Sequence, residues 1–184
     1  MRAQHVQLAP SAWLCRFARM IAAGGAVLDL ACGQGRHARL LAGMGYRVEA
    51  VDRDRASLAM LTGVAGITTR CADLEGSPWP YEAGSFDGIV VTNYLHRPLM
   101  AAILDALRPG GVLIYETFGL GNEKLGHPSK PEFLLNSHEL LQWVMGRLQV
   151  LAFEQGRVEL PKPAVIQRIC ALRRGAEDCS LDLP

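Results

Sequence analysis

The chain has 184 residues, of which 49% are hydrophobic and 20% are charged, and its formal net charge is +1. This length allows one well-buried domain and is too short for a cofactor domain plus a separate substrate domain, so we expect residues 1–184 to form a single domain. No apolar run approaches the roughly 20 residues that span a bilayer, and the scattered Lys and Arg residues argue against nucleic acid or an anionic membrane as a partner.

Short apolar runs alternate with helical stretches from Ala26 to Tyr115, which is the pattern of βα units around a parallel sheet. A leading helix is expected at residues 11–23. We expect strands at residues 26–31, 46–51, 66–71, 87–92 and 111–117, with helices near residues 35–44, 54–62 and 98–107. Pro98 stands at the first position of the last of these helices, and Gly110-Gly111 follow its end.

The remaining residues predict a different organisation. Residues 119–135 contain three glycines and two prolines, so they indicate a loop that could close over a substrate. Asn136 or Ser137 can cap a helix that runs to about Arg147. We expect closing strands at residues 149–160 and 165–174, followed by a frayed tail at residues 175–184.

The first residues and the cysteines favour a cytoplasmic protein without a metal site. Charges interrupt the apolar positions near the beginning of the sequence, so this segment does not have the pattern of an export signal. The cysteines are odd in number and have no C-x-x-C spacing, and three of them lie in apolar stretches typical of buried free thiols. They are Cys15, Cys32, Cys71, Cys170 and Cys179.

The most informative segment is a glycine turn that follows the first predicted strand. In the run VLDLACGQG, a buried strand ends in a turn with Gly33 and Gly35 and leads into a helix. Glycines allow the backbone to approach a ligand where a Cβ atom would collide. Asp52 ends the second strand, where a ribose could donate two hydroxyl hydrogen bonds to it. This pattern predicts a nucleoside-containing ligand at the carboxyl edge of the sheet.

Two kinds of cofactor fit this turn when it is considered alone. The spacing of Gly33, Gly35 and Ala38 also satisfies a loose dinucleotide fingerprint. Asp29 argues against a dinucleotide and for a cofactor that carries a methionine-type ammonium group, because a carboxylate inside a strand needs a cationic or hydrogen-bonding partner. The absence of a second domain for hydride chemistry is a further argument against a nicotinamide or flavin dinucleotide.

Five segments in order resemble the motifs of class I S-adenosylmethionine-dependent methyltransferases. The run VLDLACGQG resembles motif I, and the later segments at Glu49–Asp52, Cys71–Leu74, Phe86–Asn93 and Leu107–Leu113 resemble the motifs of the next four strands. The resemblance implies an α/β, Rossmann-like, doubly wound and mostly parallel seven-stranded sheet with an antiparallel C-terminal strand pair. The cofactor half would span residues 26–118. Residues 93–98, 115–118 and 131–135 are similar to small bacterial tellurite-resistance-type methyltransferases.

The resemblance also implies a role for individual residues in binding S-adenosylmethionine and its product S-adenosylhomocysteine. Asp29 would take the methionyl ammonium, Asp52 the ribose hydroxyls and Asp73 the adenine amino group, while Asn93 would offer its backbone carbonyl to the ammonium. Structural alternatives remain: Asp29 could accept backbone amides, and Asp73 could cap a turn. The full predicted set is Asp29, Leu30, Ala31, Cys32, Gly33, Gly35, Asp52, Arg53, Asp73, Leu74 and Asn93.

The predicted acceptor site follows the fourth and fifth strands and contains Tyr94, His96, Arg97 and Glu116. Methyl transfer is an in-line displacement for which alignment is the main requirement, so no general base is obligatory. Arg97 beside a helix N-terminus would favour an anion, and Glu116 would act as a base or contact a cation. The alternatives are that His96 and Arg97 cap or solvate the helix and that Glu116 supports the fold. In the loop, His127 and Lys130 are candidate polar contacts.

The leading hypothesis is a methyltransferase that acts on a small molecule which the sequence does not identify. A nicotinamide-dependent oxidoreductase and a non-catalytic cofactor-binding module are the alternatives. The segment Thr92–Leu95 departs from the N-P-P-Y pattern of several enzymes that methylate protein or nucleic acid. Arg36 and His37, beside the glycine turn, are expected to be surface or capping residues.

Overall fold

The computed structural model describes residues 9–175, in which seven strands form one sheet in the order β3-β2-β1-β4-β5-β7-β6. Strands β1 to β5 pair with one another in parallel, whereas β7 is antiparallel to both β5 and β6. The expected doubly wound sheet with an antiparallel C-terminal pair is confirmed. The strands are β1 Ala26–Leu30, β2 Arg47–Asp52, β3 Ile67–Cys71, β4 Phe86–Thr92, β5 Leu107–Phe118, β6 Gln149–Val158 and β7 Ala164–Leu172.

Helices cover both faces of the sheet. One face packs against α1 (Ala12–Phe17), α2 (Arg36–Gly43) and α3 (Arg55–Ala59), and the other packs against α4 (Met100–Ala106) and α5 (Glu139–Val144). Successive strand residues enter opposite cores: Val27 belongs to the core under α1 and α2, and Leu28 to the core under α4. The carboxyl ends of the five parallel strands therefore meet at one edge, where open α/β sheets bind ligands.

Several helices are shorter than the sequence predicts. The leading helix ends at Phe17 and continues as a 3-10 turn over Ala18–Met20. The C-terminal helix begins at Glu139 instead of residue 137, because His138 has a left-handed φ of 61° and Asn136 donates its backbone N–H to the Glu139 carboxylate. A turn thus replaces the first expected helical residues.

The segment around Gly110 also differs from the prediction. Helix α4 begins at Met100, after a 3-10 turn at Arg97–Leu99. Leu107 already pairs with Phe86 of β4, so Gly110 and Gly111 lie within β5 and not in a connection after the helix. The register of β4 and β5 shifts between Phe86 and Gly88, and the left-handed φ of 80° at Gly110 lies in this irregular part of the strand.

The loop that was expected at residues 119–135 has a defined path. It contains two 3-10 turns, at Asn122–Lys124 and Pro131–Phe133, and an isolated bridge joins Gly119 to Leu135 at its two ends. Asn122 is buried, donates its side-chain N–H to the Pro128 carbonyl and accepts the backbone N–H of Val165. The loop is thereby attached to β7 beside the carboxyl edge of the sheet.

The remaining expectations concern the cysteines, the two ends of the sequence, and membrane helices or metal clusters. Cys32 and Cys170 are buried free thiols, while Cys15 and Cys71 are exposed. Cys179 and most of the predicted tail lie outside the described residues, as does the beginning of the sequence. Across residues 9–175 no helix is long and apolar enough to cross a membrane, and no cluster of three or more His, Cys, Asp or Glu side chains could hold a metal ion.

Candidate active site

The glycine turn after β1 has three residues in left-handed conformations. These are Ala31 with a φ of 53°, Gly33 with 53° and Gly35 with 75°. A Cβ atom on Gly35 would overlap the Leu61 side chain, so this glycine allows the turn to pack on α3 and the residues after it. A Cβ atom on Gly33 would instead point into open space. The two glycines therefore differ: Gly35 serves packing, and Gly33 leaves bare backbone facing a space that a ligand could occupy.

Asp29 lies buried beneath this turn, with only 1% of its surface exposed. Its Oδ2 atom accepts the backbone N–H of Ala38 at 2.9 Å, which is the structural role considered above. Its Oδ1 atom is also buried and has no hydrogen-bond partner among the described residues. Burial raises the pKa of Asp29 to about 7. The group can thus be satisfied either by a proton or by a cationic partner.

Asp52 holds the glycine turn from the end of β2. Its Oδ2 atom accepts the backbone N–H of Gly33 at 2.8 Å, and its Oδ1 atom accepts the backbone N–H of Asp54 at 2.9 Å. A carboxylate oxygen can accept more than one hydrogen bond. Each oxygen of Asp52 therefore keeps the capacity to accept a ligand hydroxyl while it fixes the backbone of the turn.

A cavity of about 210 Å³ opens between the ends of β1, β2 and β3 and the segment after β4; we call it the first cavity. Asp73 is exposed in its wall and accepts the backbone N–H of Glu75 at 3.1 Å, so it also caps the turn that the sequence suggested. The first cavity is lined by Ala31, Asp52, Arg53, Ala72, Asp73, Leu74, Glu75 and Tyr94.

A second cavity, of about 250 Å³, shares Glu75 and Tyr94 with the first. The Tyr94 hydroxyl oxygen is buried near the Glu75 carboxylate and makes no hydrogen bond of regular geometry within residues 9–175. Its burial and the neighbouring Glu75 carboxylate raise the pKa of Tyr94, so this group is a neutral phenol at physiological pH. The second cavity is lined by Glu75, Asn93, Tyr94, Leu95, Thr117, Phe118, Pro128 and Phe133.

The structure brings about half of the predicted cofactor residues to these cavities. Five of them line the first cavity (Ala31, Asp52, Arg53, Asp73 and Leu74), and Asn93 lines the second. The others form the strand end and turn that carry this wall, namely Asp29, Leu30, Cys32, Gly33 and Gly35. Leu30 is fully buried in the core, so its side chain has a packing role.

Arg97 does not have the environment that an anion site requires. Its guanidinium donates to both carboxylate oxygens of Glu139, at 2.6 and 3.0 Å, and to the backbone carbonyls of Glu132 and Leu134. Neither Arg97 nor His96 lines either cavity. The Arg97 side chain fastens the 131–135 segment to α5 and its charge is taken up by Glu139, so an anion contact from Arg97 stays a prediction that this arrangement does not support.

Glu116 is likewise engaged, on the sheet face that carries α1. It accepts a hydrogen bond from the Ser11 hydroxyl at 2.9 Å and lies 3.4 Å from the Arg168 guanidinium. Tyr115, its neighbour in β5, is buried on the opposite face and donates its hydroxyl to the Tyr94 carbonyl at 2.9 Å. These contacts correspond to fold support by Glu116, with Tyr115 positioning the backbone of the segment after β4.

His37 contradicts the expectation of a surface residue, because only 2% of it is exposed. Its Nε2 atom accepts the backbone N–H of Ser11 at 3.1 Å, so the proton must lie on Nδ1, which can donate to the Thr92 hydroxyl 3.0 Å away. Burial lowers the pKa of His37 to about 3. Because an unfolded His titrates near 6.5, its contribution to stability is lost as the pH falls below that value.

The sequence reasoning missed this contact and part of the second cavity. Position beside the glycine turn was a signal for His37, but its partner Ser11 is 26 residues away. Tyr94 was predicted as an acceptor contact, whereas Glu75, Thr117 and the two phenylalanines of the second cavity were not. Their segments resembled family motifs, but nothing in those motifs indicated that these four side chains line one cavity.

The comparisons with known proteins agree with this architecture. The methyltransferase domain family matches residues 27–111. The protein-L-isoaspartate O-methyltransferase of Chlorobaculum tepidum is 35% identical over 112 residues, covering 55% of this chain and 48% of that protein. The chain thus spans about half the length of the curated relative it matches.

Two solved structures show the shared fold at low sequence identity. TehB from Haemophilus influenzae superposes with a TM-score of 0.77 at 21% identity, covering 93% of this chain and 64% of that chain. The 1,6-didemethyltoxoflavin-N1-methyltransferase of Burkholderia thailandensis, with 1,6-didemethyltoxoflavin and S-adenosylhomocysteine bound, has a TM-score of 0.65 at 20% identity, covering 89% and 76%. Residues 27–111 are thus similar to a methyltransferase domain, and the sheet with its helices has the fold of these two solved proteins.

Proposed function

We propose that this protein transfers the methyl group of S-adenosylmethionine to a small molecule that binds in the second cavity. The observation that carries the proposal is the arrangement at one sheet edge. Asp52 and Asp73 line the first cavity, and the unpartnered oxygen of Asp29 lies beneath the turn that borders it. The second cavity adjoins this site through Glu75 and Tyr94, so a cofactor and an acceptor could lie side by side.

The residues present fit the chemistry of the cofactor. Asp52 offers two oxygens with free acceptor capacity to a ribose, and the exposed Asp73 can accept an adenine amino group. Leu74 and Ala72 give the same cavity an apolar wall for a planar base. The buried Oδ1 of Asp29 requires a donor, and a methionyl ammonium is a cationic one. When bound, the sulfonium supplies an activated methyl carbon.

The contribution of this chain is mainly alignment and exclusion of water. Methyl transfer requires the attacking atom, the methyl carbon and the sulfur in one line, and holding two reactants in this geometry accounts for much of an enzymatic rate enhancement. The 119–135 loop, anchored by Asn122, supplies Pro128 and Phe133 to the wall of the second cavity. We propose that this segment covers the acceptor and keeps bulk water from it.

Calorimetric titration with S-adenosylhomocysteine tests the cofactor part of the proposal. We expect a dissociation constant in the micromolar range, and the absence of binding would remove the proposal. Titration of NADH into the same sample is the control, because binding of NADH alone would favour an oxidoreductase. Binding of the cofactor without methylation of any thiol, amine, hydroxyl or oxyanion compound would favour a non-catalytic module. A cytoplasmic location and independence of nucleic acid remain predictions.

A further inference from the structure

We propose that the second cavity selects a neutral or cationic nitrogen compound, such as an aromatic amine or a nitrogen heterocycle, as the methyl acceptor. This inference rests on the proposed function, since it assigns the acceptor class to the cavity beside the cofactor site. It contradicts the anion preference that the sequence around Arg97 suggested.

The one charged side chain in the cavity wall disfavours an anion. Glu75 is the single ionisable carboxylate among its lining residues, and the lining contains no Lys, Arg or His side chain. An anionic acceptor would lose water and approach a like charge, and both effects are unfavourable. A cationic or neutral N–H donor would instead meet a carboxylate acceptor.

The basic side chains nearby do not reverse this balance. Arg97 is occupied by Glu139 and two backbone carbonyls, as described above. Lys162 lies 5.9 Å from the centroid of the Phe118 ring, against the aromatic wall, and does not line the cavity. Arg53 lines the first cavity only. The positive charges therefore lie around the cavity and not within it.

The uncharged part of the wall suits a planar molecule. Tyr94, Phe118 and Phe133 contribute aromatic rings, which pack against flat apolar groups and attract cations through their faces. Thr117 is 1% exposed and lines the same cavity, and the Tyr94 hydroxyl lies near Glu75 without a hydrogen bond of regular geometry in the described chain. Such a hydroxyl can donate to one ring nitrogen or accept an N–H from another. The wall thus combines aromatic packing with a few polar groups, as ligand pockets commonly do.

The reaction balances with such an acceptor. An acceptor that enters as an ammonium first gives one proton to the Glu75 carboxylate or to solvent, because a protonated nitrogen has no lone pair. The lone pair of the neutral nitrogen then forms the new C–N bond while the C–S bond breaks, and the bonding electron pair stays on sulfur to give the neutral thioether. A nitrogen that carried a hydrogen then holds a positive charge and loses a proton. Glu75 is exposed and lies in the wall of both cavities, so its carboxylate can accept this proton and pass it to solvent.

The test compares small probes of similar size and different charge on the protein saturated with S-adenosylhomocysteine. Ligand-observed NMR titration would measure the binding of benzylammonium, benzimidazole and benzoate. We expect the two nitrogen probes to bind at least about ten times more tightly than benzoate, a difference of roughly 1.4 kcal/mol. Phe133→Ala, which alters the second cavity alone, should weaken both nitrogen probes several-fold.

Charge variants separate the role of Glu75 from a general effect of removing a carboxylate. Glu75→Gln should weaken benzylammonium about five-fold or more and leave benzoate no weaker. Glu82→Gln is the matched control, because Glu82 is exposed and lines neither cavity. Each variant is first titrated with S-adenosylhomocysteine, since Glu75 also borders the first cavity.

The inference would be overturned by benzoate that binds as tightly as benzylammonium, or by nitrogen probes that fail to bind the protein saturated with S-adenosylhomocysteine. An unchanged affinity for benzylammonium in Glu75→Gln would also overturn it. Failure of S-adenosylhomocysteine itself to bind is a separate outcome, because it would count against the proposed function before any acceptor probe is added.

Discussion

Binding of S-adenosylhomocysteine should release a proton from Asp29. Burial raises the pKa of this carboxyl group to about 7, and its Oδ1 atom has no hydrogen-bond partner within the described residues. A ligand ammonium placed beside that oxygen favours the charged carboxylate and lowers its pKa. A protein that is partly protonated at Asp29 must therefore lose this proton when the ligand binds.

The size of the effect follows from the pKa. With a value of about 7, Asp29 is protonated in about half of the molecules near pH 7, in roughly nine tenths near pH 6 and in about a tenth near pH 8. These fractions are the expected numbers of protons released per ligand. Because the proton competes with the ammonium, affinity should rise by about ten-fold between pH 6 and pH 8.

Isothermal titration in two buffers with different ionisation enthalpies measures proton release directly. Asp29→Asn keeps an oxygen that can accept the Ala38 N–H and should abolish the release. Asp52→Asn is the matched control, since it changes a neighbouring carboxylate and should weaken binding without abolishing the release. Adenosine provides a second control because it lacks the ammonium group. Proton release that adenosine reproduces, or that persists in Asp29→Asn, would refute the assignment of Asp29.

Three further predictions concern the turn and the acceptor side. Asp52→Ala should weaken the binding of S-adenosylhomocysteine by about 1.5–3 kcal/mol, the usual range for a hydrogen bond to a charged group. An unchanged affinity would contradict the ribose assignment. Arg97→Ala should lower the free energy of unfolding by about 1–3 kcal/mol in urea, less than for a fully buried pair, since the side chains of Arg97 and Glu139 are 35% and 8% exposed. If Arg97→Ala lost methyl transfer while its free energy of unfolding stayed unchanged, Arg97 would instead be a contact for the methyl acceptor. Gly35→Ala should lower the free energy of unfolding by about 2 kcal/mol or more, because the φ of Gly35 is 75° and the new Cβ atom would lie 2.8 Å from the Leu61 Cγ atom. Adding Leu61→Ala to the same chain should recover part of this loss in thermal unfolding. Fully additive effects of the two substitutions would contradict the clash.

The parts of the fold that depend on local pattern were predictable from the sequence. Buried strands such as β1 and β4 are short apolar runs, and parallel strands joined by helices bring their carboxyl ends to one edge. Asp52 ends β2 and Gly33 follows the adjacent strand β1, so their contact needs only the correct strand order. This is why the glycine turn and the aspartate that holds it could be placed from motifs before the structure was known.

Contacts across long stretches of sequence were not predictable in this way. Arg97 was expected to face an anion because it precedes a helix, but Glu139, 42 residues later, takes its charge. Glu116 lies 105 residues from Ser11, whose hydroxyl it accepts. Neither partner carries a local signal, because each contact is decided by how α5 and the segment before α1 pack on the finished sheet.

The environment of the glycine turn explains why Asp29 is available to a ligand. His37 lies in the first turn of α2, directly after the glycine turn, and is buried. Its pKa of about 3 keeps it neutral, so it supplies no positive charge to Asp29. Arg36 lowers the pKa of Asp29 only in part, and its guanidinium donates to the Ala9 carbonyl. The fold thus leaves one buried carboxyl oxygen unpaired within residues 9–175, and Arg36 and Asp52 act on it only through their charges. Such an oxygen is stable with a proton or with a cation, and a ligand that brings an ammonium group can replace the first with the second.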